Sequence, residues 1–151
     1  MVVAAEAIVG VLLCLGAGAT VVTVGALVYG LEPPADPVAT AGWLVLGIAC
    51  FVAIGLALGF WLHPSTASVV GNVVLLPMFL LGGGGPPRAV MVPVMRRISD
   101  LLPLTHITTG ARSAWIDVQE IEPNPWLPAT VAVVALLVAV RLAARADDTG
   151  R

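Results

Sequence analysis

Two histidines, His63 and His106, are the only imidazoles in this 151-residue chain. Neither has enough carboxylates near it to build a metal site, so no metal and no cofactor is expected. Asp100, His106 and Arg112 form the one set that a membrane enzyme could use. Cys14 and Cys50 lie inside long apolar runs. Their spacing fits neither a metal site nor a disulfide framework, so they read as buried small hydrophobes. There is no G-x-S-x-G, no H-E-x-x-H and no intramembrane pair of acids at helical spacing. A phosphate-binding G-x-x-x-x-G-K-[ST] loop is impossible, because every basic residue is Arg.

Whatever these residues do, a membrane must position them. The chain is 59% hydrophobic and only 11% charged, with a mean hydropathy of +1.02. A soluble domain usually carries about 25% charged residues. Too little polar surface remains to solvate a globule, and the net charge of −2 gives no reason to expect nucleic acid. A crossing needs about 20 apolar residues, which rise about 30 Å as helix. Runs at about 7–29, 38–62 and 126–144 satisfy this, with Tyr29, Trp43, Trp61 and Trp126 placed for an interfacial belt. The acidic, proline-rich "GLEPPADP" separates the first two. A cleaved signal peptide is not expected at the start, because the first run lacks a basic leader and is too long.

The run at 65–85 is harder. Its dense apolar part, Val69 to Leu81, rises only about 20 Å. Reaching the far interface requires Ser65 to Ser68 and all four glycines, Gly82, Gly83, Gly84 and Gly85. Pro77 should kink it. The even count of four crossings puts both termini on one side. From Pro86 to Pro125 the chain is too apolar for a solvated loop, and too interrupted by Arg96, Arg97, Asp100 and prolines to span. Pieces of this length, 89–95 and 98–111, predict re-entrant or interfacial helices. Non-helical backbone at membrane depth must be covered by protein or line a cavity. The fold class expected is therefore all-α: a polytopic membrane bundle of four spans in a single transmembrane domain, with a re-entrant helical hairpin in 86–125 before the last span. Arg88, Arg96, Arg97 and Arg112 against Arg141, Arg145 and Arg151 leave orientation undecided by charge.

The run "STASVVGNVVLLPMFLLGGGGPPRAVMVPVMRRISDLLPLTHITTGARSAW" resembles the permeases of type-2 ABC exporters, the ABC-2-type membrane family. Asn72, Pro77, Gly82, Pro86, Pro87, Pro103, Leu104, Thr105, His106 and Arg112 fall on the family's features. These are a polar residue and a proline in a late span, a glycine break followed by proline, and "PLTH" with a downstream Arg. The resemblance implies six spans in a full member, of which this chain corresponds to spans three to six. It implies that 86–125 lies outside, that both termini are cytoplasmic, and that the chain is a multi-pass protein of the cell membrane. The implied partners are a separate ATPase subunit, a second permease chain in a homodimer or heterodimer, and membrane lipid. "GGGGPP" departs from the family's single glycine, and the entry helix, the first two spans and the ATPase-facing loop are not in the match.

On that resemblance, Gly82 to Pro87, Pro103, Thr105, His106 and Arg112 form an outer gate, and His63, Pro64 and Ser65 face the ATPase subunit. The function implied is export of a drug, lipid or polysaccharide. The alternative is a truncated or accessory membrane protein, derived from such a permease, that does not transport. From the residues alone, Asn72 reads as interhelical glue or a cargo contact, and Asp100 as an ion-pair partner of Arg96 or Arg97 or, equally, as a solvated interfacial charge. Glu6 reads as an interfacial charge. Gly16, Gly18, Gly55 and Gly59 read as small residues permitting close helix packing.

Overall fold

A computed structural model describes residues 2–116 and 122–149. All regular structure among them is helical. Helix α1 runs Val2–Tyr29, α2 Pro37–Trp61, α3 Pro64–Phe79, α4 Pro93–Asp100, α5 Pro103–Ile116 and α6 Trp126–Thr149. A π-helical turn, Leu80–Gly84, extends α3, and a 3-10 turn, Arg88–Val90, precedes α4. Among the described residues, four helices are long and apolar enough to cross a membrane: Ala4–Tyr29, Pro37–Trp61, Pro64–Gly84 and Trp126–Arg145.

Prolines set most of the helix starts. Pro37, Pro64, Pro93 and Pro103 each open a helix, where the missing N–H costs nothing and the fixed φ is already helical. Pro93 and Pro103 lie inside the two apolar pieces read from the sequence. The helices therefore begin at those prolines, later than the apolar runs do. Asp36 caps α2 with its carboxylate, accepting from the Val38 and Ala39 amides at 3.0 and 2.9 Å.

Helix α2 is the hub. It packs most extensively on α6, then on α5, and also touches α1 and α3. Its buried residues, Thr40, Gly47, Cys50, Ala53 and Leu56, are mostly small, as are Ala139 on α6 and Gly110 on α5. Without water to drive apolar surfaces together, membrane helices associate by close backbone approach, which small residues allow. Cys50 is buried as expected, whereas Cys14 is exposed on α1. None of the apolar window of α1 is buried, and a side chain at Gly16, Gly18, Gly55 or Gly59 would meet nothing within 4 Å. Among the described residues, those four glycines make no close packing within this chain. Gly47 and Gly110 make it instead.

Candidate functional site

The chain's polar burial is concentrated where α3 ends and α5 begins. α3 continues through Pro77 to Phe79 and then widens into the π turn. The backbone breaks at Gly83, whose φ of +122° is a conformation L side chains rarely adopt. The break frees two carbonyls. In the π register the Leu81 and Gly82 carbonyls would turn to Pro86 and Pro87, which have no N–H to offer. Hydroxyls from the next two helices take their place. Ser99, on α4, donates to the Leu81 carbonyl at 2.8 Å, and Thr108, on α5, donates to the Gly82 carbonyl. Ser99 and Thr105 are 2% and 5% exposed, with their hydroxyls 3.2 Å apart. Leu104 closes over Gly82, where a Cβ would approach its Cγ to 2.9 Å. The glycine turn is thus clasped by α4 and α5.

His106 fastens the other side of α5. It is 8% exposed. Nε2 lies 2.9 Å from the Asp100 carbonyl, and Nδ1 accepts the Asn124 amide at 3.2 Å. Those partners require the proton on Nε2. With both nitrogens spent on backbone, the imidazole joins the end of α4 to the segment before α6. The Asp100 carboxylate is paired with Arg88 at 2.6 Å, not with Arg96 or Arg97 as the helical spacing suggested. Arg88 reaches it across the 3-10 turn. Arg96 instead donates to the Met91 and Ala89 carbonyls, both at 2.9 Å. Asp100, His106 and Arg112 therefore do not converge on one reacting position.

α5 lies antiparallel along the N-terminal half of α2. Ile107 sits against Gly47, and Gly110 against the Trp43 ring. The Ala114 and Trp115 carbonyls accept from the Asp36 and Ala35 amides at 2.9 and 3.1 Å, and the Trp115 indole N–H donates to the Glu32 carbonyl at 3.1 Å. Between α5 and the glycine turn is a cleft of about 480 Å³, lined by the turn, Arg88, Ser99, Thr105, Thr109 and Arg112.

The profile of the family described as ABC-2 type transporter matches residues 1–116. The chain belongs to the ABC-2 type transporter family. Its match covers everything that builds the clasp, from α1 to the end of α5. The chain is also 33% identical, over 69 residues, to a protein of Bacillus subtilis (strain 168) named "Putative transport permease YvfS". That alignment spans 46% of this chain and 28% of the Bacillus protein. No solved structure matches.

In this ABC-2 family chain, the residues singled out from sequence fall into three places. Gly82, Gly83, Gly85, Pro86, Pro87, Thr105 and Arg112 line the cleft. Gly84, against the Phe79 ring, and the buried Pro103 and His106 stand next to it. Asn72 and Pro77 are exposed on α3, and the Asn72 amide donates to the Ser68 carbonyl of its own helix at 3.0 Å. Asn72 thus makes no interhelical bond among the described residues. His63, Pro64 and Ser65 are exposed at the α2–α3 turn, where His63 Nδ1 lies 3.2 Å from the Ser65 hydroxyl. Glu6 is exposed. The part of the expected 86–125 segment at 117–121, and Arg151, lie outside the described residues. Ser99 and Thr108 were not singled out from sequence. The signal for them is that Pro86 and Pro87 strip two upstream carbonyls of their helical donors, so hydroxyls elsewhere must be found.

Proposed function

We propose that this chain is the membrane-spanning permease subunit of an exporter in the cell membrane, driven by ATP hydrolysed on a separate subunit. Family membership over residues 1–116 carries the reading. In it, residues 1–151 act as one transmembrane domain with cytoplasmic termini, and 86–125 is a re-entrant hairpin closing the outer end of the path. The packing of α5 supports the hairpin. Ile107 meets Gly47, ten residues into α2, which is about 15 Å along its axis. If α2 spans, the start of α5 lies near mid-membrane, and its end returns to the α1–α2 turn. Backbone at that depth must be satisfied by protein, which is what Ser99 and Thr108 do for the glycine turn.

The glycine break then acts as a hinge and the α4–α5 unit as the moving part. The turn at His63, Pro64 and Ser65, at the other end of α2, faces the ATPase subunit. A second permease chain completes the path, and the open small residues on α1 and α2 leave room for its helices. The cargo class is a drug, lipid or polysaccharide. Co-expression with ABC ATPase subunits tests this: the chain should co-purify with one of them and change its ATP turnover in bilayers. If none co-purifies and turnover ignores the chain, the permease reading fails. A stable complex with another membrane protein and no ATP-linked flux would favour a non-transporting accessory role.

A further inference from the structure

We propose that the cleft between the glycine turn and α5 is a binding site for a single anionic group, a phosphate or carboxylate, with Arg112 and Thr109 as its donors. The inference rests on the permease reading and deepens it by naming the chemistry of what occupies the path's outer end. The charge balance of the cleft carries it. Among the described residues, two arginines line the cleft and no acid does. Arg88 is engaged by Asp100 at 2.6 Å, so its charge is already met. Arg112 makes no ion pair or hydrogen bond among the described residues, and neither does the Thr109 hydroxyl. The other hydroxyls are committed, Ser99 and Thr108 to the carbonyls of the turn.

Helix geometry places the two free donors beside Thr105, whose hydroxyl is already bonded to Ser99. Thr105, Thr109 and Arg112 follow at i, i+4 and i+7, along one face of α5 that lines the cleft. His106 and Gly110 occupy a different face, against the Asn124 amide and Trp43. Height matters as well. The Ala114 carbonyl is bonded to Asp36 at the start of α2, so Arg112 lies about 3 Å deeper along α5. That is the level of lipid head groups if α2 spans. An arginine that only snorkelled would turn to that surface, whereas exposed Arg112 also walls a cleft with Gly82, Gly83 and Gly85. A volume of about 480 Å³ admits a phosphate with part of the group that carries it. A guanidinium binds phosphate or carboxylate with two parallel N–H bonds, and a threonine hydroxyl supplies a third donor.

The test uses the full chain in phosphatidylcholine nanodiscs, with tryptophan quenching by brominated phosphatidylglycerol against brominated phosphatidylcholine. Trp115 lies within one turn of Arg112 and reports on the mouth of the cleft, while Trp43, on the Gly110 face of α5, serves as an internal reference. The wild type should prefer phosphatidylglycerol by about tenfold, the ratio one charge-assisted contact supplies. Arg112→Gln should abolish that preference, Thr109→Val should weaken it, and Arg112→Lys should keep part of it. Displacement of the lipid by millimolar inorganic phosphate would assign the site to free anions as well. Failure to displace it would assign the site to a head group, and both results support an anion site. Equal quenching by the two lipids, or an equal loss in Arg97→Gln outside the cleft, overturns it. Binding needs no ATPase subunit, so this result stands or falls separately from ATP-linked transport.

Discussion

Replacing Thr108 by Val removes one hydroxyl and keeps the branched shape of the side chain. The Thr108 hydroxyl has one proton and three carbonyls in reach, those of Gly82, Leu104 and Thr105. Leu104 and Thr105 lie within α5, where backbone amides already serve their carbonyls. The Gly82 carbonyl has no such alternative, because Pro86 and Pro87 follow it. Its loss therefore leaves a buried acceptor unpaired, which costs about 1–3 kcal/mol in proteins generally. Interhelical bonds in membranes average lower, about 0.6 kcal/mol with a maximum near 1.7. We expect Thr108→Val to cost about 1–2 kcal/mol, and Ser99→Ala a similar amount for the Leu81 carbonyl. Thr108→Ser keeps the hydroxyl and should cost well under half as much. Thr20→Val is the control, because Thr20 only back-bonds to Gly16 on the open face of α1. The assay is reversible unfolding in mixed micelles by titration with sodium dodecyl sulfate. If Thr108→Val, Thr108→Ser and Thr20→Val all fall within about 0.5 kcal/mol of wild type, the hydroxyl clasp is not what holds the turn.

Other perturbations separate the remaining contacts. Gly83→Ala forces a side chain into φ +122° and brings a Cβ within 2.9 Å of the Thr108 hydroxyl oxygen, so the same unfolding assay should register a loss of about 1–3 kcal/mol. Gly110→Leu would drive a side chain into the Trp43 ring, costing about 1–3 kcal/mol and shifting tryptophan emission; unchanged emission would contradict the packing of α5 on α2. His106→Ala removes the acceptor of the Asn124 amide, so hydrogen exchange at that amide should quicken by about tenfold or more, with no such change expected in Asp100→Asn. Asp100→Asn breaks an ion pair whose side chains are 27% and 43% exposed, so its cost should stay below about 1 kcal/mol; a loss above twice that would show a less solvated pair than described.

The four long helices were legible because uninterrupted apolar length is a signal each residue carries alone. Their start points were nearly so: the runs read at 38–62 and 65–85 begin one residue after Pro37 and Pro64, which open α2 and α3. The glycine break was readable as a break, since four glycines before two prolines cannot continue a helix. What the break does was not readable. Its carbonyls are met by Ser99 and Thr108, 18 and 26 residues downstream, and nothing local distinguishes those hydroxyls from the others in the chain. Pairing rules for neighbours on one helix misled at Asp100, because the 3-10 turn folds Arg88 back within reach. Glycine spacing did not locate the contacts between helices of this chain either. Gly55-x-x-x-Gly59 has the form of a packing motif and faces open space, while Gly47 and Gly110, with no motif around them, are where α2 and α5 touch. Three-dimensional partners decide such cases, and periodicity does not encode them. The family resemblance drew attention to 82–112, the stretch in which the glycine turn, α4 and α5 are clasped together.

A gate formed by the glycine turn and the α4–α5 unit, moved by ATP on a partner subunit as proposed, must change the exposure of Thr109 with nucleotide state. The most direct measurement is labelling of a single cysteine at Thr109, with Cys14 and Cys50 replaced by serine, in vesicles carrying the chain and its ATPase subunit. The reagent is a membrane-impermeant maleimide applied from outside. The labelling rate should change at least several-fold between the nucleotide-free and the vanadate-trapped ATP states, while a cysteine at Thr20 does not change. Identical rates at Thr109 in both states, with ATPase turnover confirmed in the same vesicles, would contradict it.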